Sequence, residues 1–174
     1  MAKTGNGNGA ARATKSIDLA LQGGGSHGAF TGGVLDALLE DGRLRFDGAS
    51  GTSAGAMNAV VLAHALARAH EDGLKPGDAR ESARAALSRF WDGVGVMGNF
   101  TAGLPLPAAQ NMMQWFMPWL SPAQANPLGL NPLRRLLERE IDFELLARQS
   151  RVKVFVTAIN VRTGRGEVFS GAQL

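Results

Sequence analysis

The protein has 174 residues, of which 45% are hydrophobic and 19% are charged, and its formal net charge is +3. Such a chain is long and apolar enough to form one globular α/β domain, which excludes an intrinsically disordered protein. It contains no cysteine, so disulfide scaffolds, thiolate zinc sites and cysteine nucleophiles are excluded. The small net charge predicts no nucleic-acid partner, and the scattered histidines, His27, His64 and His70, indicate no metal site.

Residues 1–16 carry no targeting signal. They lack the apolar core of a secretory signal peptide, and we expect them to be a disordered lead-in to a domain at 17–174. No later run approaches the roughly 20 apolar residues that cross a bilayer. We therefore expect a cytoplasmic protein that is at most peripheral at a membrane.

The first part of the domain alternates strands with helices. The predicted elements are a buried strand at 17–21, an amphipathic helix at 28–40, a strand at 46–52 and a small-residue helix from Ala54 to about His70. This order predicts parallel strands joined by right-handed crossovers.

The second part is less regular. A helix begins at Pro76, and all three tryptophans of the chain fall at 91–130, together with most of its prolines and methionines. This stretch could be an insert that forms a lipid-facing lid, or it could be core. The elements predicted after it are a short helix from Pro132, a helix from Asp142 through Ala147, a strand at 151–159 and a strand at 167–169.

A G-x-S-x-G pentapeptide, Gly51-Thr52-Ser53-Ala54-Gly55, follows the second predicted strand. In acyl hydrolases this pattern places a serine on a tight turn between a strand and a helix, with glycines that let the two approach closely. Here an apolar strand precedes the serine and a small-residue helix follows it. The pattern favours Ser53 as a nucleophile, although an ordinary glycine-rich loop would have the same letters.

The segment Gly23-Gly24-Gly25-Ser26-His27-Gly28 follows the first predicted strand, and we call its residues 23–27 the glycine loop. Consecutive glycines beside a helix N-terminus can direct backbone N–H groups at a phosphate or at the oxyanion of an acyl-transfer intermediate. The spacing also fits a dinucleotide-binding loop, but position 48 is glycine where that fingerprint needs an acidic residue. Because the next strand ends in a candidate nucleophile, we favour an oxyanion hole.

Together these segments resemble the patatin-like phospholipase family, most closely over residues 17–65 and again at 154–169. The resemblance implies a three-layer α/β/α sandwich with a mainly parallel sheet, and hydrolysis of lipid or other hydrophobic esters by a Ser–Asp dyad without a cofactor. By this resemblance Ser53 is the nucleophile and the oxyanion hole is formed by Gly24, Gly25 and Ser26. The motif glycines are Gly23, Gly28, Gly51 and Gly55.

Two departures from the family pattern stand out. His27 occupies a position that is usually Arg or Lys in the family. The Asp-Gly-Gly or Asp-Gly-Ala segment that carries the family's catalytic Asp is also missing after the last strand. Asp47-Gly48-Ala49 matches the Asp-Gly-Ala form of that segment. However, six residues of extended strand, at about 3.3 Å each, separate Asp47 from Ser53 by roughly 20 Å, which is too far for a base.

We therefore expect this chain to be the N-terminal part of the enzyme, inactive and unstable alone, with the catalytic Asp in a C-terminal remainder. His27 could instead act as the base, although a base in that loop would crowd the oxyanion. A different class of function is also open, a non-catalytic module that binds a lipid or a nucleotide through the glycine loop.

Overall fold

The computed structural model describes residues 14–102, 132–149 and 151–174. The strands are β1 (Lys15–Leu21), β2 (Leu44–Gly51), β3 (Lys153–Ile159) and β4 (Gly166–Ser170). The α-helices are α1 (Gly28–Asp41), α2 (Ala54–Glu71), α3 (Pro76–Ala102), α4 (Pro132–Glu140) and α5 (Phe143–Gln149), and short 3₁₀ turns occupy Gly25–His27 and Gly171–Gln173.

The elements predicted from the sequence are present, with small shifts at their ends. The first strand begins at Lys15, so the last two residues of the predicted lead-in belong to β1. Residues 1–13 lie outside the described part of the chain. The second strand, predicted at 46–52, is observed at Leu44–Gly51.

The four strands form one sheet in the order β1-β2-β3-β4. β1 pairs parallel with β2 and β2 pairs parallel with β3, whereas β4 returns antiparallel along β3. Leu19, Ala49 and Val154 are register partners across the three parallel strands. The predicted α/β class with a mainly parallel sheet is confirmed.

The core lies between the sheet and α2. Alternate strand residues such as Leu19, Phe46 and Val154 face this core, which also contains the fully buried Leu62 of α2. The many alanines of α2 let it lie close to the sheet, and α1 and α3 pack against α2 in turn. These contacts fix α2 along the sheet, with its first residue, which follows Ser53, close to the carboxyl end of β2.

The strand residues that alternate with these point to the other face of the sheet, which is exposed in the described part of the chain. Ala20, Ser50 and Phe155 are register partners on this face. Ile159 and Val168, near the β3–β4 hairpin, are 69% and 59% exposed. The described helices therefore cover one face of the sheet through α2.

The stretch predicted as an insert or lid at 91–130 begins inside α3, which continues to Ala102. Trp91 is half-buried and its ring makes an edge-to-face contact with Phe90, with centroids 5.4 Å apart. The first tryptophan of the stretch is thus part of the helical layer. Residues 103–130 lie outside the described residues, so for them the lid stays a prediction.

Candidate active site

Ser53 lies in the turn between the end of β2 and the start of α2. Its φ of 52° and ψ of −127° make it the one non-glycine residue with positive φ among the described residues. The Thr52 carbonyl accepts from the Gly55 amide at 3.0 Å, and the Ser53 carbonyl accepts from the Met57 amide at 3.1 Å. The side chain of Ser53 is exposed. The turn therefore presents a hydroxyl to solvent from a strained backbone.

Gly51 and Gly55 permit this turn because each lies where a side chain would not fit. A Cβ on Gly51 would be 2.5 Å from the Gly55 carbonyl carbon, and a Cβ on Gly55 would overlap the Leu21 carbonyl oxygen. Contacts this short with backbone atoms cannot be relieved by turning a side chain. The two glycines thus close the turn and bring α2 against the end of β1.

The glycine loop lies directly beside this turn. A Cβ on Gly23 would be 2.8 Å from the Thr52 carbonyl oxygen and 3.3 Å from Ser53 Cβ. Gly24 and Gly25 have φ of 149° and 57°, values that L-residues rarely adopt. The structure therefore brings together the glycine loop and the Ser53 turn, the two segments identified in the sequence, although Gly23 and Ser53 are 30 residues apart in the chain.

The loop then closes on itself before α1 begins. Gly25, Ser26 and His27 form a 3₁₀ turn in which the His27 amide donates to the Gly24 carbonyl at 3.2 Å. The His27 Nδ1 atom also lies 3.1 Å from that carbonyl oxygen. Gly24, Gly25 and Ser26 are exposed, whereas Gly28, the first residue of α1, is buried.

A buried polar bridge connects the loop to the helices, and the sequence analysis did not identify it. Asn58 of α2 is fully buried and donates from Nδ2 to the Gly28 carbonyl at 2.9 Å. Trp91 of α3 donates from Nε1 to Asn58 Oδ1, also at 2.9 Å. The available sequence signal was a single asparagine in a helix of alanine, valine and leucine, which needs a partner if it is buried.

The Ser53 hydroxyl has no hydrogen-bond partner among the described residues. All fifteen acidic residues of the chain fall within the described ranges. Asp47, which carries the letters of the family's Asp segment, accepts instead from Arg45 Nε at 3.0 Å. No carboxylate of this chain is therefore hydrogen-bonded to Ser53 in this arrangement.

Two of the three histidines are engaged away from Ser53. His64 Nε2 accepts from the Asp142 amide at 3.2 Å, and His70 Nε2 lies 2.7 Å from Arg151 Nη2. Burial lowers the pKa of His64, and Arg68 also lowers it, while the carboxylates of Asp142 and Glu140 act in the opposite direction. His64 therefore belongs to the contact between α2 and the start of α5.

No helix in the described ranges is long and apolar enough to cross a membrane.

Comparison with curated proteins and comparison with solved structures each gave no match. A family model described as patatin-like phospholipase matches residues 19–172, a range that includes both the glycine loop and the Ser53 turn. Proteins of this kind are in general hydrolases of lipid acyl esters, and a match over this much of the sequence identifies the fold and the general activity. The chain belongs to the patatin-like phospholipase family.

Proposed function

We propose that the protein is a serine acyl hydrolase in which Ser53 attacks lipid or other hydrophobic esters. The observation that carries this proposal is the positive φ of an exposed serine between β2 and α2, next to Gly23 of the glycine loop. A non-glycine residue in such a conformation costs about 1–3 kcal/mol and is found mainly at functional sites.

The proposed reaction has two stages. Ser53 Oγ attacks the ester carbonyl carbon, and the resulting oxyanion accepts from backbone N–H groups of Gly24, Gly25 and Ser26. Collapse of the tetrahedral intermediate breaks the ester C–O bond and leaves an acyl-enzyme, and the leaving oxygen takes up the proton that the base accepted from Ser53, so that the alcohol departs. Water then cleaves the acyl-enzyme, releasing the fatty acid and restoring the serine.

A base must accept the Ser53 proton in the first step and activate water in the second. Because no acidic residue of this chain is hydrogen-bonded to Ser53, we assign this role to an Asp outside the chain, as part of a Ser–Asp dyad. His27 is the alternative base within the loop, although its Nδ1 already lies 3.1 Å from the Gly24 carbonyl oxygen.

A lipid surface fits the surroundings of the loop. Phe30 lies in the first turn of α1, two residues after Gly28, and is 78% exposed. Val34, one turn further on the same helix, is 44% exposed. We infer that this apolar edge contacts aggregated lipid transiently while the ester enters the site.

Replacing Ser53 tests the nucleophile. We expect Ser53→Ala in the full-length protein to lose p-nitrophenyl ester hydrolysis by several orders of magnitude, because the covalent step is removed. It should also lose labelling by a fluorophosphonate probe while keeping the wild-type circular dichroism spectrum. Ser88→Ala, which changes an exposed serine of α3, is the matched control and should keep both activities. Turnover by Ser53→Ala at the wild-type rate would contradict the assignment.

The same probe distinguishes the non-catalytic alternative. A module that only binds lipid or nucleotide has no activated serine, so the wild-type protein would then bind vesicles or nucleotide but remain unlabelled.

Gly25 tests the oxyanion hole. Its φ of 57° strains any L-residue, although no atom lies within 4 Å of where a Cβ would be. Gly25→Ala should therefore turn the loop amides without filling the site, and loss of one oxyanion donor lowers kcat by about 100-fold or more. Gly33→Ala, at an exposed glycine of α1 that also has open space, is the control. An unchanged kcat with only a raised KM would make the loop a binding element.

A further inference from the structure

We propose that Asn58 and Trp91 are positioning residues that hold the glycine loop in a fixed position relative to Ser53. This inference rests on the proposed function, because it assigns the two residues to the alignment of the oxyanion hole with the nucleophile. Neither residue is adjacent to Ser53 in the sequence, and both act through Gly28.

The bridge joins three helices at one point. Asn58 Nδ2 donates to the Gly28 carbonyl and Asn58 Oδ1 accepts from Trp91 Nε1, so α2 is bonded to both α1 and α3. No buried side-chain nitrogen or oxygen lacks a partner in the described part of the chain. Because both the nitrogen and the oxygen of the Asn58 amide are bonded, the amide has one favourable orientation, and the bridge therefore fixes the direction of the contact as apolar packing does not.

The indole ring of Trp91 lies against a stripe of α1 that has no side chains. A Cβ on Gly28 would overlap the six-membered part of the ring, and one on Gly32 would lie 2.9 Å from Nε1. The two glycines are four residues apart and so occupy the same face of the helix. Trp91 therefore sets how closely α1 approaches α3.

Gly28 connects this bridge to the site. It is the first residue after the loop, and a Cβ placed on it would be 2.5 Å from the Cβ of Ala54, the residue after Ser53. Asn58 lies one turn along α2 from Ala54. The bridge thus fixes the end of the loop against the start of the helix that carries the nucleophile. A shift of about 1 Å here would misalign the oxyanion donors with the Ser53 attack.

The test uses Trp91→Phe, which keeps an aromatic ring but removes the N–H donor, and Asn58→Leu, which keeps a side chain of similar size but removes both the donor to Gly28 and the acceptor for Trp91. Leu87→Ala is the matched control, because Leu87 is a buried residue one turn earlier on α3 and does not contact the bridge by a hydrogen bond. All variants are made in the full-length protein. The measurements are kcat and KM for a p-nitrophenyl ester, melting temperature, and hydrogen exchange of the loop.

We expect both bridge variants to lower kcat by roughly 10- to 100-fold, with KM changed little, because geometry rather than binding is lost. Amide exchange at His27 and Gly28, whose N–H groups are bonded within the loop, should become about tenfold faster or more. Leu87→Ala should lower the melting temperature at least as much but keep kcat.

The outcomes separate this inference from the proposed function. The positioning role is wrong if the wild-type protein hydrolyses the ester and is labelled at Ser53, but the bridge variants have the kcat of the wild type. It is also wrong if their loop amides exchange at the wild-type rate. A loss of kcat in Leu87→Ala equal to that in Trp91→Phe would also overturn it, since general destabilisation would then explain both. If wild-type protein is neither active nor labelled, the proposed function itself fails, and with it any catalytic role for the bridge.

Discussion

Ser53 adopts a backbone conformation that costs an L-residue about 1–3 kcal/mol. The cost is tolerated because Gly51 and Gly55 allow close packing around the turn and because α2 is buried over most of its length. The position of the hydroxyl is therefore determined by its surroundings rather than by the preference of serine. Such a balance is expected if Ser53 is the nucleophile that we propose, because strain at an active site is maintained at the expense of stability.

Ser53→Gly should separate these two contributions. Glycine adopts positive φ readily, so the variant should gain about 1 kcal/mol in the free energy of unfolding, after its higher unfolded-state entropy is subtracted. Ser53→Ala keeps the strain and should show no such gain. Urea unfolding of the three proteins measures the difference, and a Ser53→Gly protein less stable than Ser53→Ala would show that the turn is not strained.

At the scale of the elements, the close approach of α2 to β1 is what allows the loop and the turn to meet. Gly55 is at the point of contact, where an added Cβ would overlap the Leu21 carbonyl oxygen. Leu21 is the last residue of β1 and is paired with Gly51 of β2, so a shift of its carbonyl would disturb that pairing. The helix would have to move instead, and Ser53 would move with it.

We therefore expect Gly55→Ala to lower the free energy of unfolding by about 1–3 kcal/mol or more, as overpacking in a core does. Gly33→Ala places the same methyl group on an exposed face of α1 with open space around it, and should raise stability by up to about 1 kcal/mol. Equal effects of the two substitutions on chemical denaturation would contradict the steric account.

At the scale of the whole molecule, the described segments on either side of residues 103–131 are joined by contacts across the core. His64 of α2 and Asp142 before α5 are bonded although they are 78 residues apart. Asp142 in turn accepts from the Leu145 amide at 2.9 Å and caps α5. The neutral imidazole is therefore the acceptor at a contact between the two parts of the chain.

The lowered pKa of His64 predicts how stability depends on pH. Below its ordinary value of 6.5 the unfolded chain takes up a proton that the folded protein resists, so the free energy of unfolding should fall as pH decreases from about 6.5. The fall continues until the folded-state pKa is passed. His64→Gln offers a carbonyl acceptor that does not titrate, and should show a shallower decline in melting temperature between pH 7.5 and 5.5. An identical decline in both proteins would exclude His64 as its source.

The elements and the two glycine-containing motifs were predictable from the sequence alone. The pattern Gly-x-Ser-x-Gly encodes a turn that needs glycine locally, and the apolar strand before it and the small-residue helix after it are recognisable from their own residues. The parallel order of β1 and β2 followed from the β-α-β sequence, because crossover handedness leaves few alternatives. The turn and the single elements depend on interactions between residues close together in the chain, and the parallel pairing follows from the order of those elements.

The tertiary structure alone decided which distant residues meet. The sequence predicted that Trp91 begins an insert or lid. In the structure it lies within α3, where it is bonded to Asn58, 33 residues away in the sequence, and packs against Gly28. Likewise, nothing in the sequence pairs His64 with Asp142. Hydrogen bonds of this kind depend on how whole helices pack, and a hydrophobic pattern specifies which face is buried but not what lies opposite a buried polar group.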